Sequence, residues 1–256
     1  MGVAISQNSR RIGLARALSK LGYCSRSRAC ELVREGRVTL NGTRRRDAET
    51  PVDLTIDRIQ VDGASVGRQH ELYLMLNKPR GLVTTASDEK GRETIYSCLP
   101  PDSPWVAPVG RLDKASEGLL LLTNHSEWAA RVLAPETHLE KTYHVQVRAA
   151  VEPEIIRSLT KGVSTDAGFL RARSAFILRQ GVRNTWLDIV LDEGKNRQIR
   201  RMLEALGIEV LRLVRFAIGP LVLGDLPKGG SRELTDEEKH ALDIAIERPQ
   251  IRARRR

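Results

Sequence analysis

The sequence predicts an α+β protein: a small basic module with two short helices, followed by a larger strand-rich domain with few helices. Three observations lead there. Residues 10–46 combine helical periodicity with eleven Lys or Arg against two acids, a net charge of +9. Most apolar segments after residue 72 are short and alternating or continuous, as strands are. Hydrophobic residues make up 41% of the 256-residue chain, enough to bury a real core.

The elements follow in order. Leu14, Leu18 and Leu21 recur at helical spacing and Gly22 is a stop signal. Ser25 is a candidate N-cap for a second helix carrying Ala29, Leu32 and Val33, which Gly36 ends. Val38 to Leu40 reads as a strand, and Asn41-Gly42 as a hairpin turn. Residues 59–71, with Asp62-Gly63 and Gly67, read as a connector. Leu72 to Leu76 is a strand, broken at Asn77-Lys78-Pro79-Arg80-Gly81 and resumed over Leu82 to Thr85.

Pro100, Pro101, Pro104 and Pro108 mark a loop ahead of Gly110-Arg111-Leu112-Asp113-Lys114-Ala115-Ser116-Glu117-Gly118. Leu119 to Leu122 then reads as a buried strand. An aspartate on a loop entering a buried strand, with a cation nearby, suits a site for chemistry. A turn with an ordinary capping aspartate is the competing reading.

Lys141 to Arg148 alternates, with Tyr143, Val145 and Val147 on one face. Pro153 to Leu159 reads as a helix, and Phe169 to Leu178 and Thr185 to Leu191 as strands. Ile199, Leu203 and Leu206 form the stripe of a helix closed by Gly207, with Arg197, Arg200 and Arg201 projecting from its first turns. Cations there oppose the helix dipole at about 0.3–1 kcal/mol each, which suggests a use on phosphates or an acid. Thr235 and Glu238 form a capping box for a last helix. The tail holds Arg252 and Arg254 to Arg256.

Overall, 42 Lys or Arg against 32 Asp or Glu give a net charge of +10, which points to a polyanionic partner, most often nucleic acid. The basic faces around Arg26 and Arg28 are candidates for that contact, against the alternative of a solvated charged surface. Three cysteines without a Cys-x-x-Cys pair and five scattered histidines give no metal-ligand spacing. Few unpaired cysteines, with no signal-peptide-like or membrane-length apolar run, lead to the expectation of a cytoplasmic protein. Ser116, His125 and Asp113 lack the setting of a hydrolase triad.

Gly110-Arg111-Leu112-Asp113 with Gly118 and the leucine run resembles the catalytic motif of RNA pseudouridine synthases, most closely the RsuA-type family that modifies ribosomal RNA. Four more blocks agree: Leu76 to Gly81, Lys141-Thr142-Tyr143, Gly194 to Met202 and Arg212 to Gly224. Together they cover residues 72–235. The basic module resembles the small RNA-binding domain first seen in a small-subunit ribosomal protein, the S-four type. The resemblance implies an RNA-binding domain over 1–58, a linker over 59–71, a catalytic domain over 72–247 and a basic tail over 248–256. It implies a mixed, mainly antiparallel sheet flanked by helices.

It also implies roles. Asp113 is then the essential carboxylate and Tyr143 the ring that stacks on the target uracil. Arg200 is the cation that keeps Asp113 ionised, with Arg197 and Arg201 as rivals. Ile199 packs beside the base, Arg111 positions the RNA backbone, and Lys78, Arg80 and Arg197 contact phosphate or substrate. Core packing for Tyr143 and Ile199, and phosphate contacts for the arginines, are the alternatives. No cofactor and no metal are implied. The implied partner is ribosomal RNA or a ribosomal subunit precursor; the sequence does not give the oligomeric state, and a monomer is the default expectation. The large-subunit (23S) RNA is favoured over the small-subunit (16S) RNA. A non-catalytic RNA-binding ribosome-assembly factor is the alternative from another class.

Overall fold

The computed structural model describes residues 11–247 apart from Ser87 and Glu89. Arg10 and the tail arginines lie outside the described residues. Those residues form two compact units: 11–72 with 102–107 and 123–126, and 73–101 with 108–122 and 127–247. No described helix is long and apolar enough to cross a membrane.

The first unit holds β1 (Ile12–Gly13), α1 (Leu14–Lys20), α2 (Arg26–Arg34), β2 (Val38–Leu40), β3 (Thr43–Arg45), β4 (Pro51–Val52), β5 (Ile59–Val61) and β6 (Ala64–Ser65). Ser25 caps α2 as its sequence suggests: its Oγ accepts from the Arg28 N–H at 3.1 Å. Asn41 and Gly42 both take positive φ, 53° and 79°, the turn that suits the twist of paired strands. Leu14, Leu18, Leu32 and Val33 pack on Val38, Leu40, Ile59 and Val61 in one core.

The connector expected over 59–71 is corrected here, because its first residues are structural. β5 pairs β2 in the middle of a four-stranded sheet ordered β3-β2-β5-β6. Ile59 and Val61 are buried, and Asp62-Gly63 is a second positive-φ hairpin turn (49° and 82°) rather than a linker.

The second unit is built on β7 (Tyr73–Lys78), β8 (Ala107–Val109), β9 (Glu117–Thr123), α3 (Ser126–Leu133), β10 (Lys141–Val147), α4 (Pro153–Lys161), β11 (Val163–Thr165), β12 (Gly168–Leu170), β13 (Ser174–Gln180), β14 (Thr185–Leu191), α5 (Gln198–Ala205), β15 (Val210–Ile218), β16 (Leu221–Val222), β17 (Ser231–Glu233) and α6 (Asp236–Glu247). Its sheet runs β13-β14-β10-β15-β9-β7-β17, with β16 on β15 and β8 on β9. The pairings β13–β14–β10–β15, β15–β16 and β7–β17 are antiparallel, whereas β15 and β9 are parallel. This is the mixed, mainly antiparallel sheet flanked by helices.

Three readings shift. β7 continues through Asn77 and Lys78, because Asn77 N–H donates to the Gly230 carbonyl at 3.0 Å. Leu82 to Thr85 forms only a bridge, Val83 with Thr94. The strand read over Phe169 to Leu178 splits into β12 and β13, because the Ala172 amide turns to the Leu159 carbonyl. The capping box holds: the Thr235 N–H donates to Glu238 Oε2 at 2.9 Å, and the Glu238 N–H to Thr235 Oγ1 at 3.2 Å.

All seven residues of β9 are buried. Leu119 and Leu121 pack with Met75, Trp128, Ile218 and Leu242. A second core lies under α5, where Ile199, Met202 and Leu203 cover Val145, Leu187 and Ile189. Between β9 and β15 the backbones approach closely at Gly118 (φ 101°), where a Cβ would lie 2.3 Å from the Arg215 carbonyl oxygen. Gly118→Ala is therefore expected to destabilise the fold by more than about 2 kcal/mol, read as a fall in melting temperature. An unchanged melting temperature contradicts the close approach.

Candidate active site

A cleft of about 600 Å³ opens in the second unit, between the Asp113 loop, the floor strands β10 and β15, and the start of α5. Arg111, Asp113, Lys141, Tyr143, Arg197, Ile199, Arg200 and Arg215 all line it. Residues as far apart in the chain as Arg111 and Arg215 thus meet in one cleft.

The loop carrying Asp113 is held from beneath by Lys78. This lysine, at the end of β7, is completely buried. Its ammonium donates to the carbonyls of Pro79 (3.1 Å), Asp113 (3.2 Å) and Ser116 (2.9 Å), one acceptor for each proton. Burial pushes its pKa down to about 8, against the opposing pull of the Asp113 charge. Three further bonds brace the loop. The Gly81 N–H donates to the Lys114 carbonyl at 2.8 Å, and the Ser116 N–H to the Asp113 carbonyl at 2.9 Å. The Thr84 hydroxyl donates to the Leu112 carbonyl at 2.7 Å. The phosphate contact expected of Lys78 is corrected: a side chain with no exposed surface and three carbonyl partners does not reach RNA.

With the loop's carbonyls turned inward, the Asp113 carboxylate stays half-exposed and faces Arg197 Nη1 at 3.8 Å. Arg197 adopts a left-handed φ of 52° as N-cap of α5, uncommon for a residue with a Cβ. Such conformations concentrate at functional sites. Arg200, one turn further on, donates through Nη2 to the Ala115 carbonyl at 3.1 Å, and its Nε is buried without a partner. Burial and the neighbouring Arg197 charge push the Arg200 guanidinium down from its ordinary value, while Asp113 opposes them. The ion pair expected for Arg200 is thus made by its rival Arg197, and Arg200 grips the loop backbone beside it. Arg201 instead lies 4.0 Å from Asp166.

Tyr143 is half-buried on β10, in register with Arg215 of β15, and packs against the α5 core. Ile199 is 3% exposed and serves both that core and the cleft wall. Arg80 and Arg111 are exposed, and Arg111 lines the cleft. In the first unit Arg26 and Arg28 are exposed and paired with Glu49 (3.3 Å) and Glu31 (2.9 Å), whereas Arg16, Arg44 and Arg45 are among the exposed cations that form no ion pair with another described residue. Among the described residues, no three His, Cys, Asp or Glu are grouped to hold a metal.

The sequence reading gave no role to two residues of the cleft floor, Lys141 and Arg215. Lys141 stands two positions before Tyr143, so a strand presents both on one face. That spacing was the available signal. Arg215 lies inside a strand and gave none.

The chain matches the RNA pseudouridylate synthase family over residues 72–205 and the S4 domain over residues 12–55. It is 36% identical over 232 residues to ribosomal large subunit pseudouridine synthase B of Bacillus subtilis (strain 168), spanning 90% of this chain and 94% of that one. An uncharacterised RNA pseudouridine synthase of Aquifex aeolicus (strain VF5) is 38% identical over 230 residues, 90% of this chain and 92% of its own. A crystal structure of a pseudouridylate synthase superposes with a TM-score of 0.64 at 29% identity, covering 90% of this chain and 99% of that one. The chain belongs to the RNA pseudouridylate synthase family and carries an S4 RNA-binding domain ahead of the catalytic fold.

The Lys78 clamp gives the site a pH dependence. Above a pKa of about 8 the amine has two protons for three carbonyls, and the clamp on the loop loses one of its three bonds. Turnover is expected to fall as pH rises through about 8. Unfolding does not account for that fall. Between 8 and the ordinary lysine value of 10.5 the unfolded chain keeps the proton that the folded chain has released, so this group's contribution to stability rises with pH. A flat kcat profile from about pH 7 to 9.5 contradicts the clamp.

Proposed function

We propose that this enzyme converts uridine to pseudouridine at a defined site in ribosomal RNA, that the RNA is the large-subunit one, and that Asp113 is the catalytic carboxylate. The reaction breaks the bond between uracil nitrogen and ribose, turns the base and rejoins it through carbon five. It has no net redox change, so it calls for no redox cofactor. Asp113 acts at the sugar, as nucleophile or as counter-charge, while Arg197 and Arg200 hold positive charge around it. Tyr143 meets the uracil, which must leave its stack or loop to enter a cleft of this depth. Ile199 lines the wall beside the base. Arg111 and Arg80 meet the backbone at the mouth, and the basic S4 unit, Arg26 and Arg28 included, adds salt-sensitive affinity.

One observation carries this reading: a clamped loop presents a single carboxylate to two arginines and a tyrosine in a cleft wide enough for a nucleotide. The large-subunit assignment is supported by the name of the Bacillus subtilis relative. A pure binding factor has no need of the acid.

The test is a pseudouridine map of ribosomal RNA from cells lacking the protein, cells with it restored, and cells carrying Asp113→Asn. The expected outcome is a single large-subunit site that is lost, returns with the wild type, and stays absent with Asp113→Asn. A site in the small-subunit RNA overturns the subunit assignment. Restoration by Asp113→Asn overturns the role of the carboxylate, and no change in any strain favours the assembly factor.

A further inference from the structure

The cleft holds more positive charge than the chemistry above uses. Its carboxylates are engaged: Asp113 with Arg197 at 3.8 Å, Asp192 with Arg173 at 3.7 Å, and Glu193 with Lys195 at 3.1 Å. Lys141 and Arg215 line the same cleft, and neither forms an ion pair among the described residues.

Arg215 is 6% exposed. Its Nε donates to the Leu119 carbonyl at 2.7 Å, and its Nη2 is buried without a hydrogen-bond partner. An arginine does not give up its proton, so the charge stays, and a buried cation without a counter-charge is costly. Lys141 is half-buried. Burial and the Arg215 charge both push its pKa down, with Asp192 opposing. The strand register sets Arg215 opposite Tyr143, and Lys141 shares the Tyr143 face two residues away. Two cations thus flank the tyrosine, and among the described residues neither has an acid within ion-pair distance. A uracil carbonyl offers such groups a hydrogen bond but no charge, whereas a phosphate offers both.

We infer that Lys141 and Arg215 form a phosphodiester subsite on the cleft floor, which grips one backbone phosphate next to the target uridine while Tyr143 faces the base. The inference rests on the synthase reading only for RNA as the source of the phosphate. Lys141 makes no side-chain hydrogen bond among the described residues, so Lys141→Gln is the clean probe. Arg215 also ties β15 to β9 through Leu119, and its variants need a melting curve beside them.

The experiment measures tritium release from large-subunit rRNA transcribed with 5-tritiated uridine, at several salt concentrations, for wild type, Lys141→Gln, Arg215→Gln and Arg215→Lys. In parallel, a fluorescent oligouridylate reports affinity without chemistry. Lys141→Gln is expected to raise KM on the order of 10-fold, with kcat changed less than about 3-fold. It should also make the salt dependence of kcat/KM and of oligouridylate affinity shallower by about one unit of log–log slope. Arg215→Lys should keep most of the function that Arg215→Gln loses. Unchanged KM, affinity and salt slope in Lys141→Gln overturn the subsite. So does a fall in kcat alone, which marks a contact to the base. Where wild type releases no tritium, the substrate reading fails, and the oligouridylate salt slopes still decide the subsite.

Discussion

The buried Lys78 ammonium is the interaction on which the site depends. Removing such a charge from water costs several kcal/mol unless partners replace its hydration. Here the replacements are three backbone carbonyls, and two of them belong to the Asp113 loop, 35 and 38 residues further along the chain. The penalty for leaving the ammonium unsolvated is therefore the force that fixes the loop. It also sets the loop's polarity: the carbonyls point into the protein and the Asp113 side chain points out.

The frame around the clamp is equally constrained. β9 leaves the loop directly as a fully buried strand, and its partner β15 runs parallel to it, closer at Gly118 than any side chain allows. Glu117, buried at the head of β9, is held by Arg212 of β15 at 3.1 Å and by Lys228 at 2.7 Å. These cations bring the Glu117 carboxyl below its usual range despite burial that pushes the other way. A charged staple and a glycine contact thus lock the strand that carries the loop to the strand that carries Arg215. The Asp113 carboxylate and the cleft floor cannot drift apart.

Legibility in the sequence followed the range of the interaction. Caps and hairpins were readable because their determinants lie within four residues: Ser25 on Arg28, Thr235 with Glu238, and Asn41-Gly42. The blocks that converge on the cleft were readable through family resemblance. The burial of Lys78 was not legible because a lysine beside a proline in a turn looks exposed, and two of the three carbonyls that hold it lie 35 and 38 residues away. The choice between Arg200 and Arg197 turned on one residue of helix phase. With α5 starting at Gln198, Arg197 becomes a left-handed cap whose side chain swings toward Asp113. β5 was passed over because Asp62-Gly63 signals a linker and a hairpin equally well. Arg215 was hidden because a strand pattern does not tell a structural cation from an unpaired one.

The most direct test of the account is the single-turnover rate of Lys78→Met on the mapped rRNA, measured beside its melting curve and its RNA affinity. With the clamp gone, the loop is free to move by about an ångström, enough to cost on the order of 100-fold in rate. The expected result is a folded, RNA-binding protein slowed by about that factor, with affinity within about 2-fold of wild type. A folded Lys78→Met that isomerises uridine at the wild-type rate would contradict the claim that the buried ammonium positions Asp113.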